Sequence, residues 1–213
     1  MTNYIYSLVL LLCVLVAMYY RNALVKEMSF IFWLVTSTFV IEIIGLYHLK
    51  VLKNHIDWLY DLFLTVEFGL MVMYFQRIIS NKSITKLIPF CFFLIFIWYL
   101  IGPFYLGNTS AWFSILFQVI ALVLCILCTT YLRQIILMSF EELLFHNPNF
   151  WITTGILFFY GGVFFQMSFY KYMFTVDKNS ARQLYIIINH LLNILMYSLF
   201  TYGFICKAKY QRS

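Results

Sequence analysis

The chain has 213 residues, of which 64% are hydrophobic and 10% charged, and its mean hydropathy is +0.89. Soluble domains carry about 25% charged residues, so this composition excludes a soluble enzyme or a DNA-binding domain and calls for an integral membrane protein of one domain, residues 1–213. The net charge of +6 then points to anionic membrane lipid as a partner and not to nucleic acid.

A hydrocarbon core about 30 Å thick takes roughly 20 apolar helical residues to cross. Seven stretches qualify: 4–20, 28–48, 58–76, 86–106, 110–132, 151–174 and 184–206. Membrane-spanning strands would be runs of about 10 residues with alternating polarity, and no run alternates. The expected fold is therefore all-α, a polytopic bundle of seven transmembrane helices. The first stretch is expected to be retained and not cleaved as a signal peptide. Tyr19, Tyr20 and Arg21 follow it where small residues would stand, and no basic residue precedes it.

Along the chain, the second stretch contains Glu42 and the third Asp61 and Glu67, with Tyr60 and Tyr74 seven residues either side of Glu67 on the same helix face. The fifth contains Gln118 and a C-x-x-C pair, Cys125 and Cys128. All five cysteines fall within or at the ends of spans, which suits packing better than a disulfide framework or redox chemistry. The segment 133–149, RQIILMSFEELLFHNPN, is too apolar for a free loop and too charged for the membrane centre. It reads as an extension of the fifth helix or as an interfacial amphipathic helix, and as the place where a cytoplasmic or membrane signalling partner would dock. Asn147 followed by Pro148 is a start signal for the sixth helix, and Trp151 belongs at the water interface. Gly162 and Gln166 fall within about 20° of Gly155 on that helix, a smooth packing stripe. The seventh stretch contains Asn189, His190 and Asn193.

Lys and Arg favour cytoplasmic loops. One side has Arg21, Lys26, Arg77, Lys82, Lys86, Arg133, Lys207, Lys209 and Arg212, and the other Lys50, Lys53, Lys171, Lys178 and Arg182. That imbalance gives an N-out, C-in orientation, in the inner (cytoplasmic) membrane of a cell. With about 1.5 Å of rise per residue, Asp61 then lies about 5 Å below the outer boundary, Glu42, Asn189 and His190 about 8 to 9 Å, Gln118 and Gln166 about 12 Å, and Asn193 and Glu67 about 14 Å. Small hydroxyls and the span ends apart, the strongly polar residues of the spans are all in the outer half. Helix glue has no reason to favour one leaflet, so the pattern predicts an outward-facing polar pocket between helices 2, 3, 5, 6 and 7. It would take a small-molecule ligand, with Glu67 the leading residue. The plainer reading is that these groups hydrogen-bond across the bundle, at about 0.6 kcal/mol each, with the carboxyls protonated. A lone histidine such as His190 is more often a packing residue, since a metal site needs three or four ligands. No cofactor, metal ligand or catalytic residue is assigned.

The stretches LYDLFLTVEFGLMVMYF, NPNFWITTGILFFYGG and IINHLLNILMYSLF resemble an uncharacterised bacterial family of small seven-helix membrane proteins, over most of the chain. Members are often encoded beside histidine-kinase signalling genes. The resemblance implies association with signalling and brings no catalytic motif. Other seven-helix families fit poorly. Residues 184–206 contain no lysine for a retinal Schiff base. The H-x-x-x-H pair of ceramidase-type zinc hydrolases fails because Ile194 stands four residues after His190, and Pro89, Pro103 and Pro148 are not followed by the glutamine of the proline-glutamine sugar transporters.

These features point first to a sensor or receptor-like signalling component. A small-solute transporter is the alternative, weakened because the inner half lacks polar lining and helices 3 and 7 share too little to be repeats. An intramembrane metal-dependent hydrolase comes third, because Asp61 and Glu67, six residues apart, point about 120° away from each other around the helix.

Overall fold

The computed structural model describes residues 2–48, 51, 57–106, 109–138 and 144–210. Seven α-helices of at least 18 residues make up most of this: α1 (Thr2–Tyr19), α2 (Lys26–Tyr47), α3 (Asp57–Ile78), α4 (Lys82–Leu106), α5 (Thr109–Met138), α6 (Pro148–Val176) and α7 (Lys178–Tyr210). A short 3-10 turn, Arg21–Ala23, follows α1, and no strand occurs among the described residues. By length and composition six helices, α2 to α7, are sufficient to cross a membrane, and α1 adds a shorter apolar stretch, Ile5–Tyr19. The chain is a multi-pass helical membrane protein.

Helix propensity in water does not explain these elements, which are rich in β-branched and aromatic residues. In hydrocarbon every backbone group must be bonded within the segment, and a helix achieves this for any apolar sequence. The small hydroxyls follow the same logic. Thr36, Thr38, Thr130, Thr154, Ser168 and Thr201 each donate to the carbonyl four residues earlier, at 2.7–2.8 Å, so they need no partner elsewhere.

By its contacts the chain divides into two compact units, residues 1–23 with 118–213 and residues 24–117. In the first, α6 and α7 form the most extensive helix pair, an antiparallel hairpin linked by a single residue, Asp177. A Cβ built on Gly155 would meet the Met196 carbonyl at 3.2 Å, one on Gly162 the Leu192 side chain at 2.7 Å, and one on Gly203 the Pro148 carbonyl at 3.1 Å. Glycine at these three places lets the helices approach along their length. The stripe expected from Gly155, Gly162 and Gln166 is thus the α7-facing side of α6. Helix α1 runs parallel to α7: the Tyr6 ring lies 5.8 Å from His190 and 6.2 Å from Tyr197, and Cys13 is hydrogen-bonded to Thr201. Tyr6, Leu10, Cys13, Val14 and Ala17 form the buried face of α1, while Ile5, Leu8, Leu12 and Leu15 are exposed. Apolar residues on every side are what a lipid-facing helix requires.

In the second unit α3 packs on α2 and on α4. The Tyr60 hydroxyl lies directly over Gly45 of α2. On the other flank the Phe68 and Phe92 rings meet at 5.7 Å.

The apolar runs located every helix, but the helices extend past them. Helix α5 continues from Arg133 to Met138, the first of the two readings for segment 133–149; Glu141 and Glu142 lie outside the described residues. The connection between α6 and α7 is much shorter than the apolar runs imply. Lys171, Lys178 and Arg182, read as loop charges, stand on α6 and α7.

Candidate functional site

The α6–α7 hairpin is built from two caps. At its start Asn147 takes an extended backbone, and its side chain accepts from the Asn149 N–H at 2.9 Å, with Pro148 at the first helical position. At the link the Asp177 carboxylate accepts from the Asn179 N–H at 3.0 Å and from the Ser180 hydroxyl. These two bonds, the hydroxyl first, hold its pKa below the usual carboxylate value. The Asn147 cap is worth about 1 kcal/mol where it replaces an unpaired N–H.

Near the link the two helices line a cleft of about 340 Å³, within the range of small-molecule sites. Its walls are apolar, with Phe165, Phe169, Met173, Leu184 and Ile188 among them, and the polar lining comes from Gln166, Tyr170 and Tyr185. The Tyr170 and Tyr185 rings meet at 5.3 Å. The Gln166 amide donates through Nε2 to the Tyr185 carbonyl at 2.7 Å. Its Oε1 is buried with no hydrogen-bond partner. An orphaned acceptor beside an apolar cleft costs about 1–3 kcal/mol, a cost that a bound N–H or O–H donor would offset.

The far end of the hairpin is tied to the stretch that precedes it. Trp151 donates through its indole N–H to the Phe145 carbonyl at 2.8 Å and its ring meets Tyr202 at 4.6 Å. The Cys206 thiol donates to the His146 carbonyl at 3.1 Å. Residues 145–151 are therefore tied to both helices.

Of the eight residues expected in a polar pocket, only Gln166 lines this cleft. Asn193 donates through Nδ2 to the Asn189 carbonyl at 2.9 Å and approaches the Asn189 side-chain oxygen at 3.4 Å, so the two asparagines join along one helix. His190 stacks on Tyr6 with the rings 27° apart, the packing role a lone histidine usually has. Gln118 stands half-buried on α5. In the second unit Glu42, Asp61 and Glu67 are each half-buried on α2 and α3, and Asp61 is within electrostatic reach of the Tyr99 phenol on α4. Tyr74 is fully buried with its ring edge-on to Phe75 at 5.3 Å. Among the described residues no three of His, Cys, Asp and Glu gather to hold a metal ion.

Sequence reasoning passed over Tyr170, Tyr185, Tyr99 and Trp112. The Trp112 indole meets Trp98 at 5.1 Å with the rings tilted 55°, and its buried N–H has no partner. Aromatics at span ends read as interface anchors, and only the α6–α7 register shows that Tyr170 and Tyr185 meet. Set against models of protein families, curated proteins and solved structures, the chain matches none.

Proposed function

We propose that the protein is a membrane sensor or receptor-like signalling component. It lies N-out and C-in as seven spans of the cytoplasmic membrane, with the α6–α7 cleft in the outer half as a ligand site. One observation carries the reading: the cleft at Gln166 and the 145–151 stretch are opposite ends of the same hairpin. From Gln166 to Trp151 is 15 residues of helix, about 22 Å, which crosses most of the bilayer. A ligand that changes how α6 and α7 meet at the cleft alters the geometry at Phe145, His146 and Trp151. It does so only through unequal affinity for the two arrangements. The inner segment 133–149 is the proposed docking place for a cytoplasmic or membrane signalling partner, in keeping with the resemblance to proteins encoded beside histidine kinases. The parallel run of α1 and α7 supports an odd number of crossings. Glu42, Asp61 and Glu67 remain candidates of the second unit on sequence grounds, as do Gln118, Asn189, His190 and Asn193 of the first.

The cleft's chemistry suits an uncharged, largely apolar molecule with one hydrogen-bond donor for Gln166 Oε1. The test is amide hydrogen exchange in nanodiscs, with and without a compound that raises the melting temperature. Protection is expected to change at residues 144–151 as well as along 162–188. A change confined to the cleft, or accumulation of the compound inside sealed vesicles, sinks the sensor reading, and the second result replaces it with transport.

A further inference from the structure

The turn between α3 and α4 carries chemistry that the sensor reading does not use. Arg77 stands in the last turn of α3. Asn81 caps α4, its side chain accepting from the Ser83 N–H at 3.0 Å and its carbonyl from the Thr85 N–H at 3.0 Å. Lys82 opens α4 and Lys86 follows one turn later. Between the helix ends is a hollow of about 310 Å³ lined by Gln76, Arg77 and Thr85. All its lining groups are polar, and no Asp or Glu occurs in the chain between Glu67 and Glu141. The acid expected at this end of the unit is Glu27, in the first turn of α2, and among the described residues no ion pair joins it to Arg77, Lys82 or Lys86.

Below the hollow one face of α4 is apolar and open. Phe93, Phe96 and Leu100 lie within about 80° of Thr85 around the helix and are each 36–59% exposed, whereas Ile88 and Ile95 are buried on another side. A basic, hydrogen-bonding hollow directly above an apolar helix stripe has the two-part chemistry of a phospholipid. In the orientation favoured by the lysine and arginine distribution, this turn meets the anionic leaflet.

We infer that the α3–α4 turn is a binding site for an anionic phospholipid, its phosphate held by Arg77 and Lys82 over the Gln76–Thr85 hollow and an acyl chain lying along the Phe93–Phe96–Leu100 stripe. Arg77 supplies a forked donor to phosphate oxygens and Lys82 a mobile point charge beside the first turn of α4. The site does not depend on the α6–α7 cleft.

The experiment counts bound lipid by native mass spectrometry on detergent-purified full-length protein titrated with phosphatidylglycerol, phosphatidylcholine or inorganic phosphate. Phosphatidylglycerol is expected to bind saturably. Arg77→Gln and Lys82→Gln, both at exposed helix ends, should each weaken it about fivefold. Arg77→Lys should recover most of the loss, and the paired change Lys207→Gln with Lys209→Gln should leave binding unchanged. Equal binding of phosphatidylcholine, wild-type affinity in both single variants, or displacement of phosphatidylglycerol by millimolar phosphate would each overturn the assignment. The last of these would identify the hollow as a free-anion site.

Discussion

At the scale of single residues, Gln166 and Asp177 show two ways in which a polar side chain persists in an apolar chain. Gln166 spends a donor on the Tyr185 carbonyl and keeps a buried, unpaired acceptor. Asp177 is fully satisfied by its own helix start. Its lowered pKa fixes a pH dependence. A carboxyl whose folded pKa lies below its unfolded value of about 4 stabilises fully above that value, and the contribution is lost as pH falls through the folded pKa. The wild-type melting temperature is therefore expected to drop more steeply below about pH 4 than that of Asp177→Asn, which cannot titrate. Parallel curves would show that the cap's charge is irrelevant.

At the scale of elements, the α6–α7 pair is set by its glycines, and they are not equivalent. At Gly162 the obstacle to a Cβ is the end of a flexible leucine, whereas at Gly155 and Gly203 backbone carbonyls of the partner helix stand at 3.2 and 3.1 Å. Gly203→Ala and Gly155→Ala are expected to cost about 1–3 kcal/mol by forcing the helices apart, and Gly162→Ala clearly less. Thermal unfolding of the three variants checks the order, and equal losses would mean the helices yield as readily as a side chain. Much of the hairpin was legible in advance. Asn147-Pro148 announced its start and the Gly155–Gly162–Gln166 spacing its packing side. The one-residue link was not, because the first two turns of α7, KNSARQL, are polar and an apolar-run criterion starts that helix at residue 184. The capping signal was present in Asp177, which sits three residues before Ser180 and opens a helix that leaves the membrane.

At the scale of the whole molecule, the apolar content that made the spans easy to find is also why the site was hard to find. When nearly every position is hydrophobic, composition identifies which residues are polar but not which of them meet. The outer-half layer expected from Glu42, Asp61, Glu67, Gln118, Gln166, Asn189, His190 and Asn193 is a one-dimensional pattern. Within it, Asn193 donates to Asn189, His190 packs on Tyr6, and Gln166 alone borders the cleft. The tyrosines that complete the cleft's lining carried no distinguishing mark among 17 in the chain, since tyrosine suits a membrane interface equally well. The central claim is that this cleft binds a ligand through Gln166. The most direct test is a thermal-shift screen of the purified protein against uncharged apolar alcohols, amides and amines, run in parallel on Gln166→Leu. That variant should fold with a stability within about 1 kcal/mol of wild type, since it loses one hydrogen bond and also removes an orphaned acceptor. The account predicts a compound that stabilises wild type in proportion to its concentration and leaves Gln166→Leu unmoved. Equal stabilisation of both proteins, or no shift by any compound, would contradict it.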